Sequence, residues 1–402
     1  MRVTQKNTLV HGPYRVSEDP LVRVTVRSQQ VTCGYSQCLR RQPTLPNRTL
    51  SAAHRLVLRH LWQTNGELRA RGVPPEVRLK GMDTAVARVE QLEKALFRGG
   101  GLTLQNRDYV REVRTLTDAL FRIDLGPKDL TLEALGIKSE PGSAIIVARE
   151  PGVAAGVAEL GLWLESAGVS VRAAKKDGDV FERGDTLLRL EGERNNLLSL
   201  ERVGLNIVQR MSGIATLTRC LGERVRGRSP STRVVATRKT LWGLLDKRAV
   251  HLGGGGTHRI GLSDAILIKN NHLALLASRE EEAAPLGIER AWNFRKDAAF
   301  IEVEVTGEAA ALAAAETFRR MQEESSERYP CLLMLDNMMP KEIRSILDGL
   351  RKKALWDYIL TEASGGISEQ NVEAYADSGV DAISMGALTH SARALDLCQR
   401  IA

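Results

Sequence analysis

The second half of the chain contains six apolar segments that each end in a polar or glycine-containing cluster. The stretches between them have the apolar spacing of helices, and the segments recur every ~25–35 residues, as strand–helix units do. This pattern predicts an α/β barrel of parallel strands, whose catalytic groups gather at the carboxyl ends of the strands. The segments are RVVATRKT (233–240), DAILIKNNH (264–272), FIEVEV (300–305), LLMLDN (332–337), YILTEASGG (358–366) and DAISMG (381–386).

Charged and small residues stand at the predicted strand ends, where they would meet on one rim of the barrel. Cations, carboxylates and glycines converging on one rim indicate a site for a multiply anionic, phosphorylated substrate. Arg238 and Lys269 stand out because each follows an apolar strand. The rim residues are Arg238, Lys239, Lys269, Glu304, Asp336, Ser364 and Gly386.

The region before the barrel mixes strand and helix periodicity, which predicts a smaller α+β domain. Asp-Gly and Arg-Gly turns divide an alternating stretch, as in a meander. The predicted elements are helices at 83–98 and 107–122, a strand at 143–150, a helix at 151–168, a meander at 169–193 and a long helix at 195–225 broken at Ser212-Gly213. The predicted domains are an extension at 1–81, a helical segment at 82–114, the α+β domain at 115–230 and the barrel at 231–402.

The extension has a different composition from the rest of the chain. Residues 1–50 lack a sustained period and are rich in Arg, Thr, Gln, Ser and Pro, which is typical of disorder. Residues 51–71 have the pattern of one basic amphipathic helix. Two interpretations stay open: a targeting pre-sequence, or an upstream extension of an enzyme whose true start is Met82.

Charge and cysteine content restrict the function classes. Residues 1–81 hold 14 Lys and Arg against 4 Asp and Glu, whereas the remainder holds 43 against 45, so the net charge of +8 does not indicate a nucleic-acid partner. No apolar run approaches the ~20 residues of a membrane span. The five scattered cysteines favour a reducing, cytoplasmic compartment, and Cys33 and Cys38 alone are only half a zinc site.

The most specific segment is TRKTLWGLLDKRAVHLGGGGTHRIGLSDAILIKNNH (237–272). It resembles quinolinate phosphoribosyltransferase, the carboxylating nicotinate-nucleotide pyrophosphorylase family. The resemblance covers roughly residues 115–402. Further similar segments follow the family order: DLGPKDLT (124–131), VAREPGVAAG (147–156), LERVGLN (200–206), QRMSGIATLT (209–218), IEVEV (301–305), LMLDNM (333–338), EASGGI (362–367) and GVDAISMGALTHS (379–391).

The resemblance implies a fold, a reaction and a cofactor. The fold is the type II phosphoribosyltransferase fold, an incomplete barrel of about six parallel strands preceded by a smaller α+β sandwich domain. The enzyme is a pentosyltransferase that joins quinolinate to phosphoribosyl pyrophosphate in de novo NAD biosynthesis. It yields nicotinate mononucleotide, CO₂ and pyrophosphate, and it requires Mg²⁺.

The resemblance also assigns the site residues. The positions for quinolinate and pyrophosphate are Arg238, Lys239, His258, Arg259 and Lys269. Arginine pairs with carboxylates bidentately and lysine acts as a point charge, which suits a substrate with two adjacent carboxylates. The expected ribose 5′-phosphate site comprises Ser364, Gly365, Gly366, Gly386 and the nearby His390, at two strand ends that are each followed by a predicted helix start.

Two carboxylates and one arginine complete the expected site. Glu304 and Asp336 correspond to the family's acidic pair near Mg²⁺ and the ribose, whereas Glu302 is interpreted as a supporting acid. Lys239 and Lys269 join that pair as expected catalytic residues. Arg202 matches an arginine that, in the family, reaches the active site of the neighbouring subunit. The expected assembly is therefore a homodimer.

One departure from the family pattern stands out, and it keeps alternatives open. Asn270 follows the strand-end lysine where the family has aspartate, which could alter the placement of Lys269. The alternatives are a molybdenum-utilisation paralogue of the same fold and a non-catalytic relative that acts as a binding protein. The second alternative predicts loss of charged strand ends, and only Asn270 fits it.

Overall fold

The computed structural model describes residues 75–325 and 328–401, with side chains from residue 86 onward. The predicted disorder at 1–50, the amphipathic helix at 51–71 and the Cys33–Cys38 pair lie outside the described residues. Over the described part of the chain, no helix combines the length and the apolar character needed to cross a membrane.

Thirteen α-helices and twelve β-strands are described in these residues. The helices are α1 (Pro75–Leu96), α2 (Arg107–Leu125), α3 (Leu130–Leu135), α4 (Val157–Ser166), α5 (Arg194–Ser199), α6 (Glu201–Arg228), α7 (Leu244–Leu252), α8 (Asn270–Leu273), α9 (Glu280–Trp292), α10 (Glu308–Glu323), α11 (Pro340–Lys352), α12 (Val372–Ala376) and α13 (Ala387–His390). The strands are β1 (Pro141–Ala148), β2 (Gly152–Val153), β3 (Ser170–Ala173), β4 (Val180–Phe181), β5 (Thr186–Glu193), β6 (Arg233–Val235), β7 (Ile266–Ile268), β8 (Ile301–Val305), β9 (Cys331–Asp336), β10 (Leu360–Ser364), β11 (Ala382–Ser384) and β12 (Leu397–Ile401).

The barrel sheet contains all six predicted strands, which are confirmed. Its order is β6-β11-β10-β9-β8-β7, and every neighbouring pair is parallel. β6 and β7 are the two edges and do not pair with each other, so the barrel is incomplete. Alternate residues face opposite sides. Ile301, Val303 and Val305 join the core shared with the outer helices.

The inward-facing positions change character along the barrel axis. Near the amino-terminal ends of the strands they are apolar, as at Leu332, Leu360 and Ala382. Further along, Glu302 and Glu362 are fully buried. The rim then carries Lys269, Glu304, Asp336 and Ser364 at the strand ends. Successive strand residues point to opposite faces of the sheet. The strands that turn apolar side chains towards the outer helices therefore also turn the charged side chains into the barrel.

The smaller domain is built on an antiparallel sheet of order β12-β1-β5-β3. β12 comes from the carboxyl terminus and pairs with β1, from Ala144↔Ile401 to Ala148↔Leu397. The sequence analysis had assigned residues 397–401 to the barrel domain. A five-residue strand whose partner lies about 250 positions away has no local signal, because only tertiary pairing defines it.

The long helix α6 connects the two domains without a break. We predicted a break at Ser212-Gly213, and this was wrong. A Cβ at Gly213 would lie 1.9 Å from the carbonyl oxygen of Arg393, so glycine here allows close packing. Ser212 Oγ instead accepts a hydrogen bond from the Ala155 amide at 3.1 Å. The helix tolerates both residues because each makes a specific contact across the domain junction.

Helix α1 fills the amino-terminal mouth of the barrel. Leu92, Ala95 and Leu96 are fully buried in one apolar cluster with residues from the beginnings of the strands. Those partners include Phe300, Leu332, Leu360 and Ala382. We predicted this helix over 83–98, and the structure begins it at Pro75.

Two ion pairs fasten α1 to the barrel strands. Arg233, at the beginning of β6, lies 3.3 Å from Glu93. Arg88 Nε donates to Asp381 Oδ1 at 3.0 Å, and Asp381 Oδ2 also accepts from the amide and the hydroxyl of Thr361 at 2.7 and 2.8 Å. Asp381 therefore joins α1 to two neighbouring strands.

Replacing Asp381 should be strongly destabilising. Asp381→Ala would leave the buried Arg88 without its carboxylate partner, and we expect a loss of about 3–5 kcal/mol in the free energy of unfolding. Asp377→Ala is the matched control, because its pair with Arg228 is solvent-exposed and should contribute about 1 kcal/mol or less. Urea unfolding of the wild type and both variants measures the difference. Equal losses would contradict this assignment.

Candidate active site

Lysine and carboxylate groups meet on the rim where β7, β8 and β9 end. Lys269 Nζ donates to Glu304 Oε2 at 3.0 Å. Glu304 is buried, whereas Lys269 is half-exposed towards the rim. Asn337, Lys269 and Lys239 act in the opposite direction, but burial and then the nearby Glu304 raise the pKa of Asp336. A cation bound beside Glu304 and Asp336 would relieve this.

Arg238 and Lys239 follow β6 and are both exposed on the rim. Lys239 is anchored by its backbone, since its amide donates to Thr237 Oγ1 at 3.1 Å and its carbonyl accepts from Thr389 Oγ1 at 2.8 Å. The Lys239 side chain passes Gly386, where a Cβ would lie 3.1 Å from Lys239 Cδ. The segment after β6, at the beginning of the barrel sequence, thus contacts α13, near its end, at the rim.

Residues 255–260, which we name the strap, run beside the open edge of β6. Gly256 makes a parallel bridge with Val235, and its amide donates to Val234 O at 3.0 Å. At the other end, the Ile260 amide donates to Asp264 Oδ2 at 2.8 Å, just before β7. The glycine run allows this close approach, because a Cβ at Gly256 would lie 2.6 Å from Val235 Cγ1. The strap thus links the two unpaired edges of the barrel.

His258 occupies the middle of the strap in a strained backbone conformation, with φ of 54°. Its ring lies inside the barrel, with Nε2 3.0 Å from Glu302 Oε2 and 3.5 Å from Glu362 Oε2. The Arg259 amide donates to Nδ1 at 2.7 Å, which leaves the ring proton on Nε2, facing the carboxylates.

This buried His258–Glu302–Glu362 cluster binds protons near neutral pH. Against the effect of burial, Glu362 and Glu302 raise the pKa of His258. Burial and then Glu362 raise the pKa of Glu302 to about 7. Because Nδ1 already accepts the Arg259 amide, we assign the additional proton to the carboxyl pair. The three side chains could also coordinate one metal ion. The surrounding cations Arg259 and Lys247 make the cluster a poor site for a divalent ion.

Lys247 is a buried cation that supports the strap from α7. Its Nζ donates to the carbonyl oxygens of Thr257 and Arg259, on either side of His258. Burial, followed by Arg238 and Arg259, lowers the pKa of Lys247 to about 7. Arg259 is also buried, and no described residue is hydrogen-bonded to its Nε. Its Nη1 donates to Ala265 O at 3.4 Å, so Nε is a buried donor that the described residues leave unused.

The turn after β10 provides small, open backbone at the rim. Gly365 and Gly366 have φ of 89° and 62°, which favour glycine. A Cβ at Gly365 would also lie 2.3 Å from Asn337 Oδ1. We expected a helix to begin directly after this turn, and that was wrong, because α12 begins only at Val372. Ser364 ends β10, and its carbonyl accepts from the Asn337 amide at 2.9 Å.

Gly386 lies at the amino terminus of the four-residue helix α13, as expected. His390 ends the same helix and is exposed, with Nδ1 2.6 Å from Ser391 Oγ. A Cβ at Gly386 would lie 2.8 Å from His390 Nε2, so only glycine leaves this corner open. Gly386, His390 and Lys239 therefore lie side by side.

Arg202 lies in the first turn of α6 and is exposed. None of the ion pairs within the described ranges involves it. Arg210, about 12 Å further along the same helix, instead forms a bidentate pair with Asp246 at 2.9 and 2.7 Å. Asp246 is fully buried and also accepts from the Leu241 amide at 2.8 Å. Arg210 thereby orders the loop that follows Arg238 and Lys239.

Asn270 does not disturb its lysine neighbour in the structure. Asn270 is exposed, and its Oδ1 accepts from the Asn271 amide at 2.6 Å. Lys269 keeps the contact with Glu304, and its amide donates to His272 Nδ1 at 2.9 Å. The side chain of Asn270 thus caps local backbone while Lys269 faces the rim.

Sequence reasoning missed the residues that support the rim from behind. Lys247, Arg210 and Asp246 lie on helices, and their charges resemble those of solvated helix surfaces in the sequence. Glu362 had a signal, because it alternates with Ser364 on an apolar strand and so had to face inward.

The fold and the rim together define a class of protein. An incomplete barrel of six parallel strands, with a charged rim and an adjoining α+β domain, is a type II phosphoribosyltransferase fold. Two family models match the chain: the quinolinate phosphoribosyl transferase N-terminal domain over residues 129–212 and the C-terminal domain over 214–399. The chain belongs to the quinolinate phosphoribosyltransferase family.

Individual relatives agree with this assignment. A Methanothermobacter thermautotrophicus protein named probable nicotinate-nucleotide pyrophosphorylase (carboxylating) is 40% identical over 284 residues, which is 70% of this chain and 96% of the relative. The Mycobacterium leprae nicotinate-nucleotide pyrophosphorylase (carboxylating) is 37% identical over 275 residues, 67% of this chain and 89% of the relative. The crystal structure of NadC from Streptococcus pyogenes matches with a TM-score of 0.62 and 30% identity, over 73% of this chain and 97% of that one.

The titration of Lys247 should be visible in stability. Between its folded pKa of about 7 and the unfolded value near 10.5, the unfolded chain binds a proton that the folded chain lacks. The wild type should therefore gain stability relative to Lys247→Met as pH rises from 7 to 10, by at most about 1.4 kcal/mol per pH unit. Below pH 7 the difference should level off. Lys353→Met, at an exposed lysine, is the control. Urea unfolding at several pH values measures it, and a constant difference throughout would refute the buried-lysine assignment.

Proposed function

We infer that this chain transfers the phosphoribosyl group of phosphoribosyl pyrophosphate to quinolinate. The products are nicotinate mononucleotide, CO₂ and pyrophosphate, as in de novo NAD biosynthesis. The observation that carries this proposal is the rim, where cations for a dicarboxylate adjoin an acidic pair and open glycine turns. The family membership and the relatives' names support the same reaction, and no observation favours the molybdenum-utilisation paralogue or a non-catalytic role.

Quinolinate fits the cations of the strap and the neighbouring strand ends. We propose that Arg259, Arg238 and Lys269 bind its two carboxylates, with Lys239 at the pyrophosphate. Arg259 is buried and its Nε is unpartnered among described atoms, so a carboxylate there would be paired in a dry environment. His258 helps to hold the neighbouring Arg259 in place, because its ring contacts Glu302 and Glu362 inside the barrel.

Phosphoribosyl pyrophosphate fits the remaining rim. We propose that the turn at Ser364, Gly365 and Gly366 and the corner at Gly386 and His390 surround the 5′-phosphate. Open backbone can approach phosphate oxygens closely at such turns. Glu304 and Asp336 then lie beside the ribose, where negative charge stabilises the cationic character that develops as pyrophosphate leaves.

The acidic pair also fits Mg²⁺. Glu304 and Asp336 supply two oxygen ligands, and a cation beside them would offset the burial and the Glu304 charge that raise the pKa of Asp336. Mg²⁺ favours one or two carboxylates together with substrate phosphates. When bound, the ion would neutralise charge on the leaving pyrophosphate. Lys269 holds Glu304 in place at 3.0 Å, so that its carboxylate is positioned before substrates bind.

The assembly and the compartment are also proposals. We propose a homodimer in which Arg202 reaches the neighbouring active site, because Arg202 is exposed and free of ion pairs within the part of its chain that the structure describes. We propose a cytoplasmic, reducing compartment, because Cys331 and Cys398 are free thiols.

The substrate assignment predicts a strong preference. Purified protein with Mg²⁺ should convert quinolinate to nicotinate mononucleotide and leave nicotinate unreacted, because a missing carboxylate leaves buried cations unpaired. Product formation and CO₂ release can be followed with both substrates, and EDTA should stop the reaction until Mg²⁺ is restored. Equal turnover of nicotinate would rule out the proposed substrate.

Subunit mixing tests the role of Arg202. Arg202→Ala and Lys269→Ala should each be nearly inactive, whereas a purified mixed dimer should have one intact site and about half of wild-type activity, by two-fold symmetry. The matched control is a mixed dimer of Lys269→Ala with Asp336→Ala. Both of those residues lie on one rim, so each site keeps one lesion and stays inactive. An inactive Arg202–Lys269 mixed dimer would place Arg202 outside the neighbouring site.

A further inference from the structure

Residues 86–101 lie before both family domains, whose matches begin at residue 129. They nevertheless form part of the barrel, through the end of α1 and the short 3-10 helix Arg98–Gly101. Leu92 and Leu96 are fully buried against the beginnings of the strands. Residues 86–101 therefore lie outside both family-model matches, and the barrel of this chain uses them as part of its interior.

The end of α1 makes polar contacts with the strap as well. The His258 amide donates to Leu96 O at 2.9 Å. The Arg98 amide donates to Thr257 Oγ1 at 3.1 Å, and that hydroxyl lies 3.3 Å from Leu96 O. Arg98 Nε also donates to Asp264 at 2.8 Å, where the strap joins β7. Residues 96–98 thus bind the strap at Thr257 and His258, and Arg98 also binds Asp264, which holds the far end of the strap.

The strap is held from two sides at once. Lys247 binds the carbonyl oxygens of Thr257 and Arg259 from α7, while residues 96–98 bind the amide side of the same turn. His258 keeps φ of 54° between these supports, a conformation that non-glycine residues rarely adopt. A turn with this strain needs surrounding contacts to persist, and Thr257 is the residue on which both sets converge.

We propose that Thr257 is a positioning residue, and that residues 86–101 act through it to orient Arg259 for quinolinate. The proposal rests on the proposed function. The Thr257 side chain is completely buried, and its hydroxyl contacts only backbone atoms, those of Leu96, Arg98 and His258. Its effect passes through the backbone of the next two residues to the Arg259 guanidinium group. Apart from Lys239, which follows β6, the proposed phosphoribosyl pyrophosphate positions follow β8 to β11 and lie on other elements than the strap.

The test is a pair of isosteric variants in the full chain. Thr257→Val keeps the volume and removes the hydroxyl, and we expect the KM for quinolinate to rise roughly tenfold, the scale for losing one or two buried hydrogen bonds. The KM for phosphoribosyl pyrophosphate should change less than about twofold. Thr257→Ser keeps the hydroxyl and should restore the quinolinate KM. Thr317→Val is the matched control, since this buried threonine bonds only within α10.

A second variant tests the contribution of α1 without changing the strap. Leu92→Ala leaves a cavity between α1 and the beginnings of the barrel strands, so it should lower the melting temperature. It should also raise the KM for quinolinate and leave the KM for phosphoribosyl pyrophosphate unchanged. A wild-type chain without turnover would defeat the proposed function. An active wild type whose Thr257→Val and Leu92→Ala variants keep both KM values, or raise both equally, would overturn the positioning role alone.

Discussion

An incomplete barrel has an interior that is open at one side and one end, and the rest of this structure depends on filling that interior. Six strands cannot close the circle, so β6 and β7 remain as edges. The strap covers the side, and α1 fills the amino-terminal end with Leu92, Ala95 and Leu96. Unpaired strand edges and exposed apolar positions are energetically unfavourable. The strap covers the strand edges, and α1 covers the apolar positions. The carboxyl-terminal end alone remains open, and it becomes the site.

Filling the interior with charge requires the charges to balance. Glu302 and Glu362 are fully buried. The proton that they share and the nearby cations Arg259 and Lys247 offset their charge, while His258 Nε2 faces both carboxyl groups. An isolated buried carboxylate or ammonium group would be very unfavourable, so these five side chains are stable only as a set. The set is rigid because each member also bonds the backbone of the strap or packs against a strand. Because the rim lies directly on this set, its cations are also held in position before a substrate binds.

The six barrel strands could be predicted from the sequence because each is an apolar run with a polar end, a signal that is local. The rim residues followed for the same reason, since strand ends of parallel sheets share one edge. β12 could not be predicted, because its pairing with β1 is purely tertiary. The continuity of α6 was missed because Gly213 suggests a break unless the backbone of Arg393 is known to lie against it. Lys247 and Asp246 were missed because the sequence alone does not tell which face of α7 is buried.

His258 and Arg259 are adjacent in sequence, yet the structure gives them different surroundings. His258 lies beside two buried acids and its Nδ1 accepts the next amide, so both ring nitrogens face groups of the protein itself. Arg259 is almost as buried, but its Nε has no hydrogen-bond partner among described atoms. Burial together with Arg238 lowers the pKa of Arg259, which means that a nearby anion would be bound favourably. The strained φ of His258 is what separates the two directions, since it turns one side chain into the barrel and leaves the next for the ligand. The glutamates thus serve the site indirectly, by fixing the residue before the arginine that we propose binds the substrate.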